Sequence, residues 1–306
     1  MNYITGIQNA IAYVEAHLTE EIHVEQVARE AAMSTYYFQR IFGILCGVTL
    51  GDYIRFRRLT LAGIDLSHHD VKIIDVALKY GYDTPESFTR AFTKFHGIPP
   101  RAVKSSQEKL THFSRLSIQI SLQGGNTMNY KIIEKPSMIL TGYKTHFEGV
   151  PYGSERATQE ENLFVTTRAK QWLLRGAAGS SADSNIEICV IQNIDGHGYD
   201  FYYTAELDQY ERDNLFDPTI TGIDFMERFG FENIRIPAQT YAVFSTEKQA
   251  SPVENYVTLR GAIAHEIIAN DDLIIADAPE LALYHWYDRK NREKRYIEVW
   301  IPIVKK

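Results

Sequence analysis

Cysteine is scarce. Cys46 and Cys189 are the only two in 306 residues; they lie far apart and outside any metal-ligand spacing, which excludes a disulfide framework and gives no zinc site. Both are expected as packed, reduced thiols. No apolar run approaches the roughly 18 residues that cross a bilayer. The opening Met1-Asn2-Tyr3-Ile4-Thr5 lacks the basic-then-apolar pattern of a secretory signal, so a cytoplasmic protein without a membrane partner is expected. Nucleophile elbow, His-Glu-x-x-His pair and phosphate loop are all missing, and with them any expectation of catalytic residues, metal or cofactor. His68-His69-Asp70 has metal-ligating residue types but falls where a polar loop between helices is expected.

What is present is ordinary globular composition, 44% hydrophobic and 23% charged, in a chain too long for one average domain. Two domains are expected. The net charge of −7 is unevenly spread: residues 1–110 hold 12 Lys/Arg and 12 Asp/Glu, leaving 20 and 27 to the remainder. Within the neutral first part, residues 34–58 carry Arg40, Arg55, Arg57 and Arg58 against Asp52 alone, a local basic patch.

A motif occurs twice. Phe38-Gln39-Arg40-Ile41-Phe42 followed by Gly47-Val48-Thr49 returns fifty residues later as Phe88-Thr89-Arg90-Ala91-Phe92 followed by Gly97-Ile98-Pro99. Each copy reads as two short helices around a tight turn. Val24, Val27, Ala28 and Ala31 share one helical face, Ser34 caps the next helix, and Phe38, Ile41 and Phe42 supply its apolar face. In the second copy Ile73, Val76, Ala77 and Tyr80 play the first part; Gly81 ends the helix, Asp83 or Thr84 caps the next and Pro85 sits in its first turn. This is helix-turn-helix grammar. Between the copies, Leu50 to Leu66, with Tyr53, Ile54, Leu61 and Ile64 on one face, predicts a helix of about 17 residues and roughly 25 Å. Two recognition helices on such a strut would enter successive major grooves roughly 34 Å apart.

Ala77-Leu78-Lys79-Tyr80-Gly81-Tyr82-Asp83, the second motif and Gly97-Ile98-Pro99-Pro100-Arg101 resemble the AraC/XylS family of transcription regulators over about residues 4–104. The resemblance implies an all-α domain of seven helices with two helix-turn-helix units, and double-stranded promoter DNA as partner; RNA polymerase is a further candidate. With Phe38, Ile41 and Phe42 inward, the first recognition helix presents Thr35, Tyr36, Gln39 and Arg40. Arg40 suits guanine, Gln39 adenine and Tyr36 a thymine methyl, and the family places base contacts at the positions of Tyr36, Gln39 and Arg40. The second helix presents Thr84, Glu86, Ser87 and Arg90. Because Glu86 repels phosphate, this unit is expected to add less specificity. Arg55, Arg57 and Arg58 are phosphate-contact candidates, one of them paired instead with Asp52 or Asp65.

Residues 1–108 are expected as this domain, 109–127 as linker and first strand, and 128–306 as a second domain. Leu116, Ile118, Ile120 and Leu122 alternate with polar residues, Gly124-Gly125-Asn126 turns, and Tyr130 and Ile132 continue with period two, which predicts a β-hairpin. A looser duplication follows, with Ile133-Glu134-Lys135-Pro136 and Ile234-Arg235-Ile236-Pro237 separated by 101 residues. Each leads to a strand (138–147 and 240–246), a helix (158–174 and 253–268) and two more strands (186–193 with 199–206; 281–287 with 296–303).

That order, with Pro237–Phe244 and the terminal Tyr296-Ile297-Glu298-Val299-Trp300-Ile301-Pro302-Ile303, resembles the GyrI-like effector-binding domain, and in the whole chain Rob-like regulators. It implies an α+β fold, a duplicated βαββ with an antiparallel sheet and central cleft, and a small hydrophobic, cationic effector. Period two groups Tyr296, Glu298 and Trp300 on one strand face, a carboxylate between rings that suits an apolar cation; the alternative is a strand face whose Glu298 pairs with a cross-strand Lys or Arg. The family has a Glu at this motif position. Tyr143, Phe147, Trp172, Tyr203 and Trp286 are further candidate walls. The readings that compete with a sensor are a small-molecule hydrolase and a ligand-free dimerisation module.

Overall fold

The computed structural model describes residues 3–68, 71–103, 109–117, 129–153, 155–178, 185–214, 217–269, 274–286 and 290–304. Three sequence expectations fall wholly or partly outside them: His69-Asp70, the polar stretch 104–108 and the alternation from Ile118 to Asn126. The chain divides into two compact units, one of residues 1–42 and 48–123 and the other of residues 43–47 and 124–306.

The first unit is helical: α1 (Tyr3–Ala16), α2 (Val24–Glu30), α3 (Thr35–Cys46), α4 (Leu50–His68), α5 (Ile73–Lys79) and α6 (Pro85–His96). Local chemistry sets the boundaries. Ser34 Oγ accepts from the Tyr37 amide at 3.3 Å before α3, Thr84 Oγ1 accepts from the Ser87 amide at 3.1 Å before α6, and Pro85 occupies the first turn. Of the two residues that could cap α6, Thr84 does so. Thr84→Ala is expected to cost about 1 kcal/mol, read as a lower Tm of this unit. Gly81 follows α5 at φ +78°, the left-handed conformation that favours glycine, and a Cβ there would lie 2.7 Å from the Arg58 guanidinium, which would have to shift.

Each helix pair closes on α4. Phe88 and Phe92 pack with Val76, Ala77 and Tyr80 against Leu59, Ala62 and Leu66, and Phe38 and Phe42 lead to Tyr53; each such ring contributes about 1.5–3 kcal/mol by burial. The buried stripe of α4 is Leu50, Tyr53, Leu59, Ala62 and Leu66. Ile64, read as part of that stripe, is exposed, because Ala62 and Leu66 on either side of it turn inward. Residues 109–117, expected as linker and start of a strand, run without regular structure along α4 instead: Phe113 packs on Tyr53 and Phe56, its amide donates to Thr60 Oγ1 at 3.0 Å, and Leu110 joins the helical core. Leu110 and Phe113 serve helix packing, the Leu116 amide donates to the Tyr53 hydroxyl at 3.4 Å, and Tyr130 pairs with Phe244 rather than in a hairpin.

The second unit is α+β. Its strands are β1 (Tyr130–Lys135), β2 (Met138–Glu148), β3 (Asn185–Gln192), β4 (Gly198–Ala205), β5 (Glu232–Ile236), β6 (Gln239–Ser245), β7 (Ile274–Ile275), β8 (Glu280–Trp286) and β9 (Tyr296–Val304), all antiparallel to their neighbours. The order is β1-β6-β9-β8-β3-β4-β2-β5, with β7 on β9. Exchanging the two repeats (β1 with β5, β2 with β6, β3 with β8, β4 with β9) reverses this order onto itself. The duplication is therefore a pseudo-two-fold axis between β3 and β8, and the Ile-x-x-Pro segments are strands that each pair with the other repeat: β1 with β6, β5 with β2.

The first repeat carries α7 (Glu155–Thr166) and α8 (Arg168–Ala177), broken at Thr167 where one continuous helix was expected. Thr167 leaves the helical region at φ −110°, ψ 18°, and its hydroxyl is engaged by Tyr143 at 2.6 Å. Three short helices, α9 (Gln209–Asn214), α10 (Pro218–Thr221) and α11 (Phe225–Phe229), precede the second repeat, whose helix is α12 (Val253–Ala269).

Period two gives the sheet two faces. Leu140, Ile188, Val190, Tyr202, Tyr241, Leu281 and Trp300 form one core. On the other, Tyr203 and Tyr284 meet Phe164 of α7, and Tyr284 meets Tyr256 of α12. Cys189 is buried on this second face, and both cysteines are free thiols. Among the described residues no helix is long and apolar enough to cross a membrane.

Candidate functional site

In the first unit the two recognition helices, α3 and α6, differ in what they offer. On α6, Thr84, Glu86 and Arg90 are exposed and Ser87 half-buried, and Pro85, Glu86, Thr89, Arg90, Thr93 and Lys94 line an open groove along the helix. On α3, Thr35, Tyr36 and Gln39 are half-buried. Arg40, expected to face outward as one of the base readers, is 2% exposed, and its guanidinium donates to the Tyr36 hydroxyl one turn back at 3.2 Å. In this conformation the guanidinium is turned along its own helix. Of the two recognition-helix arginines, Arg90 is the exposed one.

The strut arginines divide three ways. Arg55 is exposed and pairs with Asp52 at 2.6 Å, as expected for one of the three. Arg57 is no surface cation: its guanidinium reaches Glu15 through Nε at 2.8 Å and Nη2 at 3.0 Å, and donates to the Phe113 carbonyl at 2.6 Å. Burial pushes Glu15 up, but the hydrogen bonds from Arg57 and Tyr53 outweigh it and hold the carboxylate below its ordinary range. Arg58 donates to the Leu18 and Glu20 carbonyls at 2.8 and 2.6 Å, closing the end of the segment after α1. Arg57 is therefore structural, because a buried guanidinium has to use its donors on the protein, and half-buried Arg58 uses two of its donors on backbone carbonyls.

The second unit holds a cavity of about 720 Å³ between α7, α8, α12 and the helix-covered sheet face. Phe164, Tyr256, Tyr284 and Trp286 supply its apolar walls, with Trp172 and Val165 exposed at the rim. Three arginine–carboxylate pairs stand in or beside it. Arg156 meets Glu160 at 2.5 Å and donates to the Tyr256 hydroxyl at 2.8 Å. Arg260 meets Glu280 at 2.7 Å, and Glu280 also accepts from the Tyr152 hydroxyl at 2.6 Å. Arg175 pairs with Glu187. Burial raises the Glu187 pKa, opposed by Arg175, Trp286 and Tyr203. Among the described residues no group of three His, Cys, Asp or Glu could hold a metal.

Of the residues expected to line a ligand cleft, Trp172 and Trp286 line this cavity. Tyr203 lies beneath it beside Arg175 and Glu187, 1% exposed. Tyr143 and Phe147 are core: Tyr143 stacks on Tyr203 and bonds Thr167, with burial pushing its pKa up to about 12, and Phe147 stacks on Phe201. The Tyr296–Glu298–Trp300 grouping exists but on the opposite sheet face. Glu298 accepts from Lys131 Nζ at 3.0 Å and from Trp300 Nε1 at 3.0 Å, with His285 Nε2 at 3.4 Å. Burial alone would raise its pKa; His285, Lys131 and Trp300 outweigh burial and bring it down to about 2. Glu298 is thus a paired strand carboxylate, the alternative to the expected ligand role, and Tyr296 stacks on His285 at 4.1 Å.

The carboxylates that do line the cavity, Glu160, Glu187 and the exposed Glu161, were missed by sequence reasoning. Glu187 carried a signal: a single acid alternating with Ile186, Ile188 and Val190 on a strand whose other outward neighbour is Cys189. Glu160 carried a weaker one, four residues after Arg156 on a helix face shared with Phe164.

Comparisons with known proteins agree with both halves. The family model described as a helix-turn-helix domain matches residues 27–106, and that of the integron-associated effector binding protein matches 131–303. The regulatory protein SoxS of Escherichia coli (strain K12) is 38% identical over 94 residues, 31% of this chain and 88% of SoxS. The HTH-type transcriptional regulator YbfP of Bacillus subtilis (strain 168) is 37% identical over 111 residues, 36% of this chain; the chain spans 38% of that relative's length. Among solved structures, an AraC-type regulator from Chromobacterium violaceum aligns at 21% identity over 33% of this chain and 89% of its own, TM-score 0.32. SAV2435 bound to tetraphenylphosphonium aligns at 19% identity over 58% and 94%, TM-score 0.40. The chain belongs to the AraC family of transcription regulators through its helix-turn-helix domain, and through the domain that follows to the family of integron-associated effector binding proteins.

Proposed function

We propose that this is a one-component regulator that reads an asymmetric promoter site through α3 and α6 and binds a small apolar, cationic effector in the cavity of its second domain. What carries the DNA half is the pair of helix-turn-helix units on one strut, α4, whose 19 residues span roughly 28 Å, close to one turn of duplex. Thr84 and Ser87 suit backbone positioning, and Arg90 and Glu86 suit base reading, guanine and cytosine respectively. Thr35, Tyr36 and Gln39 are the proposed readers of the other half-site. What supports the effector half is a cavity of about 720 Å³, within the size range of small-molecule sites, with aromatic walls and convergent charges. A non-enzymatic, cytoplasmic role follows from the same reading.

Selection of bound sequences from a random DNA pool at fixed salt tests it. The expected result is one asymmetric site of roughly 20 base pairs. Arg90→Ala should relax one half of that site and weaken binding by about tenfold or more; Arg40→Ala should relax the other half less. Weak, salt-sensitive binding without enrichment would overturn the proposal.

A further inference from the structure

The three ion pairs of the cavity are not equivalent. Arg156 and Arg260 are buried, and each is held by a carboxylate, the Pro151 carbonyl and the Tyr256 hydroxyl. Moving either into water would strand a buried carboxylate and other buried polar atoms together. Arg175 differs. It reaches in from α8 with its side chain 34% exposed, against 8% for Glu187, the partner of its terminal nitrogen. With about a third of its side chain already in solvent, Arg175 has a shorter way to water than the two buried arginines, while Glu187 is fixed on β3 at the centre of the sheet. Burial pushes the Glu187 carboxyl up, and Arg175 is the foremost group opposing it, ahead of Trp286 and Tyr203.

Resting on the reading that the cavity holds the effector, we infer that Arg175 is an exchangeable counter-ion: an apolar monocation entering the cavity displaces the guanidinium and takes its place on Glu187. Binding is then an ion exchange. Charge in the cavity is conserved, and the incoming group gains the faces of Trp286 and Phe164 in exchange for the solvation it loses. A neutral molecule of the same shape leaves Arg175 where it is and gains nothing from Glu187. Arg175 thereby sets both the charge selectivity of the pocket and a ceiling on its affinity, since every bound cation competes with it.

The test uses the full chain at pH 8, with tetraphenylphosphonium as cationic probe and triphenylphosphine oxide as neutral probe, followed by calorimetry. Arg175→Met is expected to tighten tetraphenylphosphonium by about fivefold or more and to leave triphenylphosphine oxide within about twofold. Glu187→Gln should weaken the cation by about tenfold or more, and the gain from Arg175→Met should vanish in the double variant. Arg175→Gln replaces the methionine variant if the latter does not fold. Cation binding that is unchanged or weaker in a folded Arg175 variant overturns the inference and leaves the cavity reading standing. If the wild-type chain binds neither probe, the cavity reading falls and this inference with it.

Discussion

Arg57→Met is expected to destabilise the first domain by about 3–5 kcal/mol, because it leaves Glu15 ionised without its partner in a buried setting. The side chains of Arg57 and Glu15 are 9% and 12% exposed, and Tyr53 donates to the same carboxylate at 2.6 Å. The loss should appear as a lower Tm followed by far-ultraviolet circular dichroism, with DNA affinity per folded molecule and its salt dependence unchanged. A phosphate contact predicts the reverse: an unaltered Tm and a salt slope reduced by about 1. The acid limb gives a second signature. The Glu15 pKa is lowered in the folded state, so its contribution is complete above the ordinary value of 4.5 and is lost as pH falls through the lower folded value. Arg57→Met should flatten that part of the stability curve.

Glu298→Gln should cost the second domain about 2–3 kcal/mol and leave effector-probe affinity within about twofold. The folded carboxylate titrates at about 2 against an ordinary 4.5. Its stabilisation is present above pH 4.5 and disappears as pH falls towards 2. Lys131 is more than half exposed, which screens part of the effect and sets the lower end of the range. Fluorescence of Trp300, whose indole nitrogen donates to Glu298, reports the transition. An intact Tm with lost probe binding would return Glu298 to the ligand site and displace the cavity described above.

The sequence by itself determined the helix-turn-helix units down to their caps, because those signals act within one or two turns: Ser34, Thr84, Pro85 and Gly81 hold or free backbone groups that lie next to them in the chain. It also determined the strand–helix–strand–strand duplication, and it grouped Tyr296, Glu298 and Trp300 correctly, since a pleated strand has period two whatever surrounds it. Only the tertiary structure decided which face of the sheet the helices cover, and that one choice placed Glu298 on Lys131 and left Glu187 facing the cavity. The same holds for the arginines. A guanidinium in an exposed-looking helix position is a phosphate contact or a structural tie depending on whether a carboxylate or free carbonyl arrives beside it, and Glu15 and Leu18 arrive from some forty residues away. Partners so distant leave no local pattern, because their meeting is fixed by packing of the whole core. The break at Thr167 and the exchange of β1 and β5 between repeats are likewise set by neighbours that only the folded chain brings together.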